Sequence, residues 1–268
     1  MERYLRVGHF ARQIVALAAR RPLLLAPLLA NVAFAAPLNL AVAVLLAMVD
    51  SDAAYYALLA AGVTGLYFID YFANGVTASL FHQQLSGGSA NLEAALLRTR
   101  KVAGGIAIFA AIAALFDLLT EYSVERSDGI SRVATRLLHM VWTTASYAIL
   151  PAMVLEERSF RDAFERSRQL ARNNPTELGV GFLALGVVNY VLGLLTFAGA
   201  YKLLEYCGDE SPVLGALLFY TLVNVYFALS GYLKIAYFTC FYLWARECER
   251  SRSNEIGLAP APLAAILI

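Results

Sequence analysis

The chain has 268 residues, of which 60% are hydrophobic and 15% charged, with 21 Lys and Arg against 20 Asp and Glu and a mean hydropathy of +0.61. Soluble domains carry about 25% charged residues, and they alternate apolar and polar positions where this chain runs apolar residues together, so an ordinary soluble domain is excluded. A formal net charge of +1 carries no argument about nucleic acid, and no nucleic-acid partner is expected; in a chain of this kind the placement of the charges matters more than their sum.

Residues 1–21 read as an N-terminal amphipathic interfacial helix. Over 3–20, Val7, Phe10, Ile14 and Leu17 share one helical face, and Arg6, His9, Gln13 and Arg20 the other. The apolar stretch 22–49 follows Arg20 and Arg21 and is far longer than the ~7–15 residues of a signal-peptide core, so it is a retained first span. Crossing the ~30 Å of hydrocarbon takes about 20 apolar residues. Six segments qualify, at about 22–49, 53–81, 102–122, 133–155, 178–204 and 213–244, giving an all-α polytopic bundle over residues 22–245. Pro27, Pro37 and Pro151 are expected kink or boundary points. The remaining 246–268 read as a tail whose apolar end, 259–268, is too short to span.

Two further amphipathic helices are predicted between spans. Residues 90–101 follow Gly87 and Gly88 and combine Leu92, Leu96 and Leu97 with Arg98, Arg100 and Lys101. Residues 160–172 begin after Ser159, with Asp162 three positions on, an acidic relative of the capping box; Asn173, Asn174 and Pro175 then form a strong stop. Phe160, Ala163, Phe164, Ser167 and Leu170 share one face of this helix, while Arg161, Arg168 and Arg172 lie largely on another. Such a helix beside a span is expected in the headgroup plane, with those three arginines against anionic lipid. Sixteen basic residues fall at one end of the spans and four at the other. The positive-inside rule therefore places both termini in the cytoplasm.

The middle of the chain carries a recognisable pattern. Tyr71-Phe72-Ala73-Asn74-Gly75 leads into the Gly87-Gly88 loop and a short basic helix. Pro151-Ala152-Met153-Val154-Leu155-Glu156 then precedes Ser159-Phe160-Arg161-Asp162-Ala163-Phe164-Glu165-Arg166-Ser167. Over roughly 65–245 this resembles an uncharacterised prokaryotic family of six-span membrane proteins, and loosely the membrane domain beside some glycerophosphodiester phosphodiesterases. The resemblance implies a fold and a location, the prokaryotic plasma (inner) membrane, and no activity.

Ionisable groups inside hydrocarbon are costly and are candidate sites. Asp70 in the second span and Lys234 in the sixth lie at matching depths, roughly 15–17 Å from the basic end, and are expected to meet. Tyr67, Asp70, Asn74 and Thr77 fall on one helical face, making an intramembrane polar cluster of Asp70, Asn74, Thr77 and Lys234. Asp117 and Glu121 pair near the outer end of the third span and are expected to be a wet surface. Gly179, Gly186, Gly193 and Ala200 recur every seven residues in the fifth span, with Asn189 and Thr196 close to the same face, the pattern of a close helix-packing seam. His9, His82 and His139 stand apart, and Cys207, Cys240 and Cys248 form no disulfide framework. No nucleophile set, phosphate loop or metal constellation is found, so neither catalysis nor a cofactor is expected.

The expected function is therefore structural or accessory: an integral membrane protein packing with itself or a larger membrane assembly and contacting anionic headgroups. The alternative is a small transporter, channel or lipid-handling protein with a polar path near Asp70, Asn74 and Lys234. The two differ at that cluster, which is a water-filled cavity in one case and a paired, dry contact in the other.

Overall fold

Within hydrocarbon every backbone amide must find its partner inside its own segment, so long Ala-, Leu- and Val-rich runs become helices. The computed structural model describes residues 16–126, 135, 148–208 and 211–251. A 3-10 turn at Pro22–Leu25 opens into α1, Ala26–Ala47, and Asp52–Leu85 forms α2. The short α3, Leu92–Lys101, precedes α4, Ala103–Arg126; α5, Ile149–Glu156, precedes α6, Phe160–Asn173. Two long helices close the fold, α7 at Pro175–Gly208 and α8 at Pro212–Ser251. Among the described residues, five helices are long and apolar enough to cross a membrane: Pro22–Ala47, Asp52–Leu85, Ala103–Thr120, Leu185–Cys207 and Val213–Glu247. They answer to five of the six predicted spans. Most of the remaining one, 133–155, lies outside the described residues, and α5 is its buried end.

Local chemistry sets the ends. Pro27 sits in the first turn of α1, where the missing amide costs nothing, and Pro37 lies inside the helix, where it removes a backbone bond. The Asn91 side chain caps α3 by accepting from the Ala94 amide at 3.0 Å, and Arg98, Arg100 and Lys101 in its last turn complement the helix dipole. Ser159 caps α6 as predicted, its hydroxyl accepting from the Asp162 amide at 3.3 Å and donating to the Asp162 carboxylate at 2.7 Å. Beyond residue 245 the chain does not turn into a tail at once; α8 continues helical to Ser251.

The middle of the bundle is α2, which packs against α1, α3, α4, α5 and α8. The α1–α2 hairpin is tight: a Cβ on Gly62 would lie 2.7 Å from the Val42 methyls. The main core is built from Ile106 and Phe109 of α4, Met153 and Val154 of α5, Leu170 of α6 and Ile235 and Tyr242 of α8. Leu183, Val187, Val191, Leu194 and Leu195 on α7 face outward, as a lipid-facing surface does.

The fifth-span seam needs correction. Leu178, Leu185, Asn189, Gly193 and Ala200 are buried, with Leu178 and Leu185 against Phe238 and Phe241 of α8. Gly193 meets Tyr226, whose hydroxyl donates to the Asn189 carbonyl at 3.3 Å. Gly186 is exposed, and neither it nor Gly179 has anything within 4 Å of an added Cβ. Residues seven apart drift by ~20° per heptad on a straight helix, so the glycine row rotates off the contact towards the start of α7. Thr196 is half-buried beside the seam. Gly193→Leu should accordingly cost about 1–3 kcal/mol by overpacking, and Gly186→Leu within about 0.5 kcal/mol; unfolding midpoints of the two variants in the same detergent check this.

Candidate functional site

Three helices converge on Asp70. From α1, Asn31 donates its amide to Asp70 Oδ1 at 2.8 Å; from the next turn of α2, Asn74 donates to Oδ2 at 3.0 Å. Both asparagines are buried. On α8, a Cβ at Gly231 would stand 3.2 Å from both Asp70 Oδ1 and Asn74 Nδ2, so the absence of a side chain there lets the α8 backbone press on the polar pair. Lys234 lies one turn further along α8. The structure thus brings Asp70 and Asn74 together and makes the second and sixth spans neighbours, with Lys234 on the α8 turn that follows Gly231. Thr77 is buried, but its hydroxyl donates within its own helix to the Ala73 carbonyl at 2.9 Å. Tyr67 turns to α4, where its hydroxyl donates to Asp117. Asn31 is not among the site residues expected from sequence. Its signal was available, an amide inside an apolar span that holds one other, Asn39.

A second cluster sits where the ends of α5 and α8 meet the middle of α6, at the end of the bundle rich in basic residues. The Tyr242 hydroxyl donates to Glu156 Oε1, and Arg158 Nε lies 2.5 Å from Glu156 Oε2. Arg166 grips Glu249 with both terminal nitrogens, Nη1 at 3.2 Å from Oε1, and reaches Gln169 Oε1 at 3.3 Å. Nearby, Glu157 ties α5 to α3 through Lys101 at 3.1 Å and Arg98 at 3.9 Å. Glu156, Arg166, Arg246 and Glu249 line an open cavity of about 380 Å³. The sequence pattern contains Glu156 and Arg166 but gives no sign that Tyr242, at the end of the apolar run, and Glu249, just beyond it, join them.

Electrostatics at this end are set by these contacts. Burial works against ionisation of Glu156, but the hydrogen bonds from Tyr242 and Arg158 and the charges of Arg158 and Arg166 outweigh it and hold its carboxyl below the ordinary value of 4.5. The hydrogen bonds to Glu249 hold the Arg166 guanidinium above its ordinary range. A carboxyl lowered on folding contributes stability at pH above its unfolded value, and that contribution disappears as pH falls through the folded value. Thermal unfolding should therefore shift downward as the pH drops below about 4.5, and the Glu156→Gln variant should show a flatter dependence over the same window.

The remaining predicted groups lie apart. Arg161, Arg168 and Arg172 are exposed on α6, with Arg161 beside Glu165 at 3.7 Å. The opposite face of α6 is not free for lipid: Ala163, Ser167 and Leu170 are buried against the bundle, and Phe160 stacks on Phe109 at 5.7 Å. Its apolar stripe is thus satisfied by the protein itself. Ser86 Oγ and His82 Nδ1 are hydrogen-bonded at 2.9 Å. Cys207 and Cys240 are free thiols. His9, His139 and the side chains of Glu121 and Cys248 fall outside the described residues, as does most of the N-terminal amphipathic segment.

The matched region of one family model, Family of unknown function (DUF6159), runs over residues 53–248. The chain belongs to this family. The match takes in α2 to nearly the end of α8, and with it every residue of both clusters except Asn31 and Glu249. It is consistent with an uncharacterised family and brings no support for a likeness to the glycerophosphodiester phosphodiesterase membrane domain. No curated protein and no solved structure matches the chain.

Proposed function

We propose that this family member is a structural or accessory integral membrane protein whose mid-span polar groups lock α1, α2 and α8, and which packs with itself or a larger assembly. The observation that supports this reading is the occupancy of Asp70: both carboxylate oxygens already accept from protein amides, and the α8 backbone abuts them at Gly231. A transport or channel path would instead leave such oxygens to water or a passing ion. The basic ends of the helices face the cytoplasm of a prokaryotic plasma membrane, with both termini inside, and Arg161, Arg168 and Arg172 meet anionic headgroups there.

Cysteine accessibility tests lock and orientation together. On a background with the native cysteines replaced, Ser51→Cys should label only from outside, Ser89→Cys only from inside, and the buried Thr77→Cys from neither. Labelling of Thr77→Cys by a small water-soluble reagent would favour the polar path; labelling of Ser51→Cys only from inside would reverse the topology.

A further inference from the structure

The cavity among Glu156, Arg166, Arg246 and Glu249 has a charge pattern that the lock at Asp70 does not use. Two of its carboxylates are committed, Glu156 to Tyr242 and Arg158, and Glu249 to Arg166. Arg246 also lines the cavity, and its Nε is buried without a hydrogen-bond partner among the described residues; the Arg166 Nε is in the same condition. A buried guanidinium donor left without an acceptor is unfavourable. The four lining side chains balance in charge, and Arg158, which holds Glu156 from outside the lining, leaves the whole cluster one surplus positive charge. Arg246 lies at the end of an apolar run and follows Trp244, the residue type enriched at headgroup level.

We propose that this cavity binds one singly charged phosphate group, with Arg246 as its principal ligand. A surplus of one charge matches a phosphodiester or a dihydrogen phosphate better than a dianionic phosphomonoester. The volume of about 380 Å³ falls in the range of small-molecule sites, and guanidinium is the side chain that meets phosphate oxygens as a fork. Two sources supply this chemistry at a membrane surface, a phospholipid headgroup and free phosphate. The site is separate from Arg161, Arg168 and Arg172, which lie on the exposed face of α6.

Native mass spectrometry of the detergent-solubilised protein, titrated with phosphatidylglycerol, with diacylglycerol of the same chains and with inorganic phosphate, tests the proposal. One saturable phosphate-bearing ligand is expected, not displaced by diacylglycerol. Binding should weaken at least about tenfold in Arg246→Gln, since a hydrogen-bonded charge is lost, and change less than about twofold in Arg161→Gln. Arg246→Lys keeps the charge, loses the fork and should fall between. Phosphatidylglycerol bound one to one assigns the lipid source; saturation by inorganic phosphate alone assigns the free anion. Equal competition by diacylglycerol, no saturable binding of either phosphate probe to the wild-type protein, or unchanged binding in a folded Arg246→Gln would overturn it. If Arg246→Gln does not fold, the wild-type competition and Arg246→Lys decide.

Discussion

Exchanging Asn31 for Leu should destabilise the protein by about 1–3 kcal/mol. The substitution keeps the branched heavy-atom shape of the side chain in an apolar helix but removes the donor that holds Asp70 Oδ1 at 2.8 Å. The carboxylate cannot recover a partner by moving, because Asn74 holds its other oxygen and Gly231 of α8 closes on the same atoms. Leaving one polar member of a packed pair without its partner costs more than removing the pair. The double variant Asn31→Leu with Asp70→Leu should therefore recover part of the loss, with an interaction energy of the order of 0.5–3 kcal/mol. Reversible unfolding of the four proteins in mixed micelles measures it. Additive losses, with the double variant the least stable by the sum of the two, would remove the lock and with it the main support for a structural role.

What the sequence shows of this arrangement depends on the range of the signal. The spans are legible because hydrocarbon imposes length and composition locally, and all five described spans lie within a few residues of their expected bounds, α7 and α8 running longer. Ser159 is likewise read from a neighbour three positions away. Asp70, Asn74 and Lys234 stand out because a charge or amide in an apolar run has to be explained. Asn31 is of the same kind, yet it sits 39 positions from Asp70, and pairing across helices needs the crossing of α1 and α2. The link between Glu156 and Tyr242, 86 positions apart, is further out of reach. Gly186 shows the opposite error: a regular spacing in sequence projects onto a helix whose period it does not match, so the pattern persists where the contact has ended.

Gly75 carries the second large effect. It closes the Tyr71–Gly75 pattern in α2 and stands where three other helices meet α2. A Cβ there would lie 2.9 Å from Thr99 Cγ2 of α3, 3.2 Å from Val154 Cγ2 of α5 and 3.7 Å from Ile106 Cδ1 of α4. Thr99 has little room to yield, since it is fully buried and its hydroxyl donates to the Ala95 carbonyl at 2.9 Å. Gly75→Leu should therefore cost at least about 1–3 kcal/mol by overpacking, while Gly104→Leu, at a position with nothing within 4 Å of an added Cβ, should cost no more than about 0.5 kcal/mol. Gly75→Ala isolates the cause, because the first atom it meets is the Thr99 methyl. Thr99→Ser deletes that methyl and keeps the hydroxyl, so it should restore part of the stability lost in Gly75→Ala. The same change in the wild-type background leaves a small void and should destabilise. A rescue of this sign, read from unfolding midpoints of the four combinations, ties α3 to α2 through one methyl group. Equal losses with and without the Thr99 methyl would mean that α3 is free to shift, and the ion pairs of Arg98 and Lys101 with Glu157 would then be the firmer attachment of α3 to the bundle.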